Sequence, residues 1–468
     1  MKAGYELLVI GGGSAGHAAA RTAAELGLKT ALVESAEELG GLCILRGCMP
    51  SKTLIETANR MRVIRDAKRF GIRVPEPELD PAALRARLEG LMEDFRRDRV
   101  TAMESAAYEL LRGEAGFASP HGVEFKDAKG NVNTLEADAF VIATGSRPSV
   151  PEIPGLAGSP YWTSDDVTRL PAVPASIAII GAGAIGMEFA HLFEGFGSRV
   201  TVIARGERIM GDSDPDLAAA LEAESGERGI VFLKETQVES VAHRPEGFRL
   251  KLSGAAASLE AEALLLATGR KPATAGMGLE EIGIATEKGR IVIDERAVTS
   301  LNHIFAAGDC ASPVPVVHLA VIQGKVAARN AALLLRHDHL SGGAEWSRHS
   351  AMSAWFTEPQ CVQIGLSEIR AKDDKIPVIT GLQSYADHGK GMIAGSRHGF
   401  VKVLADPETG RLLGAAGVGP DVVETGQLLE AAIEQRLTTA EYLAIPHYHP
   451  TLAEAWSRAV EDAEAQRK

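Results

Sequence analysis

The chain repeats one hydrophobic pattern. Glu6-Leu-Leu-Val-Ile10 is a short apolar run that stops at Gly11-Gly-Gly13-Ser14-Ala15-Gly16 and gives way to an alanine-rich stretch reaching about Leu26. Such a run reads as a strand buried on both faces, and the alanine-rich stretch reads as a helix. A second strand is expected over Lys29–Val33, ending on Glu34. The same order returns at Ile177–Ile180, Gly181-Ala-Gly183-Ala184-Ile185-Gly186, a helix, and a strand over Arg199–Ile203. Two copies of strand, glycine turn, helix and strand predict an α/β fold with two Rossmann-like nucleotide-binding domains.

In that context each glycine has a task. Gly11 permits the tight turn, Gly13 lets the backbone approach a pyrophosphate, and Gly16 packs helix on strand, while the helix amino end attracts the phosphate charge. The two copies differ at one informative place. The residue 23 positions after the first glycine is Glu34 in the first copy and Ala204, followed by Arg205, in the second. A carboxylate accepts hydrogen bonds from a free ribose and repels a 2′-phosphate; a guanidinium does the reverse. The first cradle is therefore expected to take FAD and the second NADPH, with NADH disfavoured. Arg208 is a second candidate partner for the 2′-phosphate, and an exposed strand-end role for Arg205 is the competing reading.

Residues 40–52 read Gly-Gly41-Leu-Cys43-Ile-Leu-Arg-Gly-Cys48-Met-Pro-Ser-Lys52, which places two of the four cysteines five residues apart. On an ideal helix that spacing separates the Cα atoms by about 8.6 Å, beyond the ~7 Å reach of a disulfide. A bridge needs a distorted turn, which Gly47 and Pro50 supply. The rest of the composition narrows the class. The chain has 468 residues, 45% hydrophobic and 24% charged, with a net charge of −13. That excess of acid disfavours nucleic acid or an anionic membrane as partner. Four cysteines are too few for a secreted disulfide framework, and no apolar run is long enough for a signal core or a bilayer span. A soluble, unprocessed cytoplasmic protein with no structural metal is expected.

Further landmarks come in order: Ala143-Thr144-Gly145-Ser-Arg-Pro, Ala267-Thr-Gly269-Arg-Lys-Pro, Ile304-Phe-Ala-Ala-Gly-Asp309 and His449-Pro-Thr-Leu-Ala-Glu454. With the cradles and the Cys43–Cys48 loop they resemble, over essentially the whole chain, the class I pyridine nucleotide-disulfide oxidoreductases, the family of dihydrolipoamide dehydrogenase, glutathione reductase and mercuric reductase. The resemblance implies two nucleotide domains plus a C-terminal α+β dimerisation domain, and a homodimer. It implies a redox disulfide with Cys48 as the thiol beside the flavin and Cys43 as the interchange thiol. Lys52 would approach the flavin and pair with Glu188. Asp309, Gly41, Ala115, Thr144, Gly145, and the helix start at His318, Leu319 and Ala320 would hold FAD, and Gly269 would line the second nucleotide. His449 would be the general acid and base, oriented by Glu454 and acting on the partner's site; Thr451–Glu454 also fits a capping box, so two uses compete for that carboxylate. His447 is the rival histidine. A solvent-facing Glu188 and a helix-capping Asp309 are the competing structural roles for those acids.

The Ser51-Lys52 ending and the C-terminal run resemble dihydrolipoamide dehydrogenase most. Arg205 departs toward the NADPH-linked members, and Ile44-Leu45-Arg46 departs from the usual loop interior, Arg46 being able to lower a thiol pKa or face an anionic substrate. The absence of cysteine beyond Cys361 argues against mercuric reductase, and Cys310 and Cys361 read as inert buried thiols. Three activities stay open: an NADPH-dependent reductase of a small or lipoyl-type disulfide, an NAD-linked dihydrolipoamide dehydrogenase serving a lipoyl-bearing protein, and a flavin oxidase, quinone reductase or transhydrogenase. The expected domains are 1–150 (FAD), 151–272 (NADPH), 273–345 (completing the FAD domain) and 346–468 (dimerisation). Pro151, Pro154, Pro171 and Pro174 mark the first boundary, a polar helical insert covers Ile55 to Leu111, Phe356 opens a strand-rich part, and a frayed helix end is expected after Ala459.

Overall fold

The computed structural model describes residues 4–169, 172–254, 256–396 and 398–467; Pro171 lies outside them. The chain divides into two compact units, one made of Met1–Ser51, Arg85–Ser149 and Arg270–Ser347, the other of Lys52–Leu84, Val150–Gly269 and Arg348–Lys468.

In the first unit, strand Gly4–Ile10 lies between Thr30–Glu34 and Val132–Ile142, all parallel, with Ile304–Ala306 on the far side of the latter. The sheet buries both faces. Leu7 and Val9 enter a core with Ala19, Ala23, Val141 and Phe305, while the alternate residues Leu8 and Ile10 enter another with Phe140, Ile142 and Ile304. This explains why the apolar run is uninterrupted, because side chains of successive residues point to opposite faces. Strand Glu109–Ser119 pairs in parallel with Thr30–Glu34 through Glu109–Arg112, then antiparallel with Gly122–Asp127 from Gly113 on. The alanine-rich helix Ser14–Glu25 packs on Val317–His337 at a distance only small residues allow: a Cβ on Gly324 would stand 2.2 Å from the Ala15 carbonyl oxygen.

The second unit holds a four-stranded parallel sheet in the order Ala263–Leu266, Ser176–Ile180, Arg199–Ile203, Val231–Leu233, and a three-stranded antiparallel sheet formed by residues 238–261. Its C-terminal part is a five-stranded antiparallel sheet, covered by helices Val422–Glu434 and Glu454–Ala465. Lys402, wholly buried in that sheet, is neutralised by Asp214, Asp216 and Glu368 at 3.0, 2.8 and 2.7 Å.

Three expectations need correction. The insert is helical only over Cys48–Asp66, a short turn at Ala67–Phe70, and Pro81–Glu104; Glu109 to Leu111 already belong to a strand. The C-terminal sheet opens at Met352, before Phe356. The chain end is not frayed: the last helix runs to Ala465 with Ala459, Val460 and Ala463 fully buried, and Gly381 lets it lie directly on strand Ile379–Ser384, since a Cβ there would stand 2.0 Å from the Ala459 oxygen. The charged residues that suggested fraying occupy its outer face. Val460→Ala is accordingly expected to cost about 2 kcal/mol of unfolding free energy, read by chemical denaturation; an unchanged midpoint would return the helix end to solvent.

Candidate active site

The two glycine turns match bond for bond. Gly11 N–H donates to the Val33 oxygen at 2.8 Å and Gly181 N–H to that of Ile203 at 2.9 Å; Ala143 and Ala267 each donate to the last strand residue, Ile10 and Ile180, at 2.8 Å. Gly11 and Gly181 adopt φ of 103° and 111°, open to glycine and strained for other residues. A Cβ on Gly16 would stand 1.7 Å from the Gly11 oxygen, and one on Gly186 2.0 Å from that of Gly181. By contrast, a Cβ on Gly13 or Gly183 meets nothing within 4 Å among the described residues. Each of these two residues is a helix N-cap with no side chain to offer, leaving first-turn N–H groups for an anion. Both turns fit a dinucleotide pyrophosphate. Ser14 and Ala15 form the first helical turn of one, Ala184 and Ile185 of the other.

Glu34 closes the first cradle: its carboxylate accepts the Gly12 N–H through Oε2 and the Ala36 N–H through Oε1, both at 2.8 Å. Lone pairs remain on each oxygen for ribose hydroxyls. In the second cradle Ala204 is buried, Arg205 is exposed, and the loop folds back so that Met210 N–H reaches the Ala182 oxygen at 2.7 Å. Arg208 donates weakly to Gly211 O at 3.3 Å, while its Nη1 is buried with no hydrogen-bond partner among the described residues.

The cysteines stand on a broken helix. Gly41–Leu45 is one short piece, Arg46 leaves helical geometry at φ −147°, and Cys48 begins the next helix. Gly47 allows the break: a Cβ there would stand 2.9 Å from Leu42 O and 3.2 Å from the Cys43 Cα. Gly41, at φ 72°, sits so close to the first cradle that a Cβ would reach the Gly13 Cα at 2.8 Å. The cysteine-bearing turn is thereby seated on the phosphate loop. Both residues are thiols in hydrogen-bond contact. That hydrogen bond, then burial, then charge on Cys48, push the Cys43 thiol far above its ordinary value, and only the field of Arg99 and a backbone bond oppose them.

Arg99 was not legible in the sequence. It lies half-buried near the end of helix Pro81–Glu104, where its charge reaches Cys43, Tyr108 and Arg21. Behind it the buried Tyr108 hydroxyl meets His17 Nδ1 at 3.0 Å; burial, then Arg99 and Arg21, hold His17 neutral by lowering it to about 4. Nothing in the periodicity of an exposed helix distinguishes this arginine from its neighbours.

Elsewhere in the first unit, Asp309 accepts the Ser146 hydroxyl at 2.6 Å, and that hydroxyl oxygen accepts Arg270 Nε–H at 2.8 Å. Asp309 caps no helix: the next begins at Val317, capped by Val316. His318 is exposed in its first turn, Leu319 and Ala320 are buried, and Gly308 brings Ala15 and Ala320 together, its would-be Cβ 3.1 and 3.5 Å from theirs. Ala115 lies half-buried on strand Glu109–Ser119 opposite Phe125. Thr144 comes directly after Ala143 at the sheet end, and Gly145 and Gly269 take equivalent left-handed turns at φ 70° and 97°.

In the second unit, Glu188 is buried rather than surface-facing. Its Oε2 holds Lys52 Nζ at 2.7 Å and its Oε1 accepts the Phe356 N–H at 3.0 Å, with the lysine 4.7 Å from the Phe356 ring centre. Arg62 to Glu194 at 2.8 Å and Arg65 to Gly195 O at 2.8 Å add two further rungs between the same helices. His449 is 73% exposed and its Nδ1 lies 2.8 Å from Glu454 Oε2. The competition for Glu454 is resolved by division: its backbone N–H takes the Thr451 hydroxyl at 3.2 Å and its carboxylate takes His449. Burial opposes charge on Glu454, but the His449 bond with the fields of His449, Arg458 and His388 outweighs it and lowers the carboxyl. His447 packs on Tyr442, at 4.8 Å between rings, and contacts that residue's oxygen rather than lying on Tyr448. Cys310 and Cys361 are buried, which pushes both thiols up, Cys361 to about 12.

Two pyrophosphate cradles and a thiol pair seated on the first define a two-nucleotide flavoprotein oxidoreductase. Comparison with known proteins agrees: the family described as pyridine nucleotide-disulphide oxidoreductase matches residues 5–324, and the dimerisation domain of the same family matches residues 351–460. The chain belongs to the pyridine nucleotide-disulphide oxidoreductases, a family of FAD-dependent enzymes with a redox-active disulfide. It is 33% identical to the dihydrolipoyl dehydrogenase of Chlamydia trachomatis over 463 residues, covering 98% of this chain and 97% of that protein. It is 32% identical to the mercuric reductase of Streptomyces lividans over 464 residues, covering 98% and 96%. Among solved structures it is similar to LpdA from Mycobacterium tuberculosis, with 25% identity, TM-score 0.86 and coverage of 97% and 99%, and to RclA, an HOCl-induced flavoprotein disulfide reductase from Escherichia coli, with 25% identity, TM-score 0.82 and coverage of 99% and 100%. No helix among the described residues is long and apolar enough to cross a membrane.

Two outcomes test this geometry. Gly16→Ala is expected to purify without bound flavin, seen as loss of yellow absorbance; a fully loaded variant would show that the close approach is dispensable. Arg99→Gln is expected to slow alkylation of Cys43 by iodoacetamide in the reduced enzyme several-fold at neutral pH, and an unchanged rate would remove Arg99 from the thiol's environment.

Proposed function

We propose that this chain is an NADPH-dependent FAD disulfide oxidoreductase that reduces a small or lipoyl-type disulfide through Cys43 and Cys48, as a cytoplasmic homodimer. The observation that carries this reading is the pair of adjacent thiols held on the first cradle by Gly41. FAD and NADPH, when bound, supply the electron pair that opens the Cys43–Cys48 bridge. Glu34 would hold the FAD ribose and the first-turn amides after Gly13 its pyrophosphate. Arg205 and Arg208 would hold the 2′-phosphate of NADPH, the unpartnered Arg208 Nη1 favouring this over NADH.

With the bridge open, the Cys43 thiol gives its proton to His449 of a second copy, supplied across the dimer by the C-terminal domain, and its sulfur attacks the substrate disulfide, forming a mixed disulfide. The substrate sulfur that leaves takes that proton back from His449. The Cys48 thiolate then attacks Cys43, which releases the second substrate sulfur as a thiolate and restores the bridge. Glu454 keeps His449 Nδ1 protonated as a donor and leaves Nε2 for the proton transfer, a contribution of ~10²–10⁴ in rate. Lys52, fixed by Glu188, would stand near the flavin.

The dihydrolipoyl dehydrogenase relatives favour a second reading, an NAD-linked enzyme acting on the lipoyl group of a larger assembly. A disulfide screen under both nicotinamides separates the two. The proposal expects kcat/KM to favour NADPH, and Arg205→Ala with Arg208→Ala to lower the NADPH value by about ten- to a hundredfold, the loss of charged hydrogen bonds of ~1.5–3 kcal/mol. Preference for NADH with rapid lipoamide turnover would establish the second reading.

A further inference from the structure

We propose that His388 is a positioning residue for the acid–base dyad: it is a second imidazole on Glu454, holding that carboxylate against His449. This rests on the reading of His449 as general acid and base.

His388 is buried, and its Nδ1 accepts the Gly391 N–H at 3.3 Å, starting the short helix Gly389–Ala394. That bond settles the tautomer. Nδ1 must offer its lone pair, so the proton of the neutral ring lies on Nε2. Nε2 stands 3.9 Å from Glu454 Oε2, the same oxygen that holds His449 Nδ1 at 2.8 Å. The other oxygen, Oε1, lies 3.5 Å from Arg458. At 3.9 Å the His388 contact is longer than a hydrogen bond, a neutral imidazole edge beside a carboxylate oxygen.

The groups facing His388 are Tyr385 on its own segment, edge-on at 6.1 Å between rings, Glu454 and Arg458 on the terminal helix, and His449 on the preceding loop. Burial foremost, with Arg458 and His449, lowers the His388 pKa against the opposing pull of Glu454. A neutral donor stabilises Glu454 without competing for it as a second cation would. The carboxylate is thus bonded to His449 at 2.8 Å and neighboured by Arg458 at 3.5 Å and His388 at 3.9 Å.

His388→Asn separates this role from helix capping. Its Oδ1 takes over the Gly391 N–H, asparagine being a favoured N-cap, but nothing replaces Nε2. With Glu454 facing His449 alone, protonation of the dyad is favoured, so the acidic limb of kcat should move to higher pH. Using lipoamide as oxidant and NADPH as reductant, H388N is expected to keep the parental melting temperature and rate of flavin reduction. Its kcat should fall about three- to tenfold and its acidic limb rise by about half a pH unit. H388Q, whose longer amide reaches Glu454, should restore the limb, and H388S caps the same helix should H388N not fold. In an E454Q background H388N should add nothing. A parental kcat and limb in H388N overturn this inference while leaving the dyad intact; undiminished turnover in H449A overturns the dyad reading itself.

Discussion

Backbone carbonyl oxygens stand where side chains would be, and the site depends on that closeness. Gly16 lies against the Gly11 carbonyl so tightly that a single methyl group would meet it at 1.7 Å. This contact sets the helix amino end over the strand end, where the first-turn amides collect toward one point. Gly41 repeats the device on Gly13 and brings in the cysteine-bearing turn. A phosphate-binding loop and the turn that carries a thiol pair thus lie in direct backbone contact. The second unit reproduces the cradle with nearly identical bonds, Gly186 on Gly181, but places no cysteine turn on it among the described residues.

Charge then assigns a role to each part of this frame. The first cradle ends in Glu34, tied to two backbone amides; the second ends in a loop with two arginines, one carrying a buried nitrogen with no hydrogen-bond partner among the described residues. Contact with Cys48 and burial push the Cys43 thiol up, and Arg99 partly offsets that rise. From Lys52 onward the same helix is fixed to Ala184–Gly195 by the Glu188, Glu194 and Gly195 contacts. The acids and bases of the site are held by partners in fixed geometry, so little reorganisation is needed when charge moves.

Much of this was legible in the sequence because it rests on local backbone demands. Apolar runs broken by glycine triplets specify strand, turn and helix, and the Glu34 versus Ala204-Arg205 contrast comes from counting along two equivalent turns. The broken helix between Cys43 and Cys48 comes from their spacing and Gly47. What escaped was set by distant packing. Arg99 and Tyr108 meet Cys43 and His17 from another helix, and His388 reaches Glu454 from a different segment of the chain. The end of the terminal helix was misread because its outer face is charged, while beyond Ala459 its buried positions are only Val460 and Ala463, which give little hydrophobic signal. Asp309 was open to a capping role until Ser146, 163 residues away, was seen to engage it.

The central claim is that Cys43 and Cys48 exchange electrons as a pair beside bound flavin. Differential alkylation with mass spectrometry, before and after anaerobic titration of the yellow protein with NADPH, tests it most directly. The account predicts a Cys43–Cys48 bridge in the oxidised protein that yields two alkylated cysteines after reduction, accompanied by long-wavelength charge-transfer absorbance. Alkylation of both residues in the oxidised protein, or unchanged reductant uptake in Cys43→Ser, would contradict it.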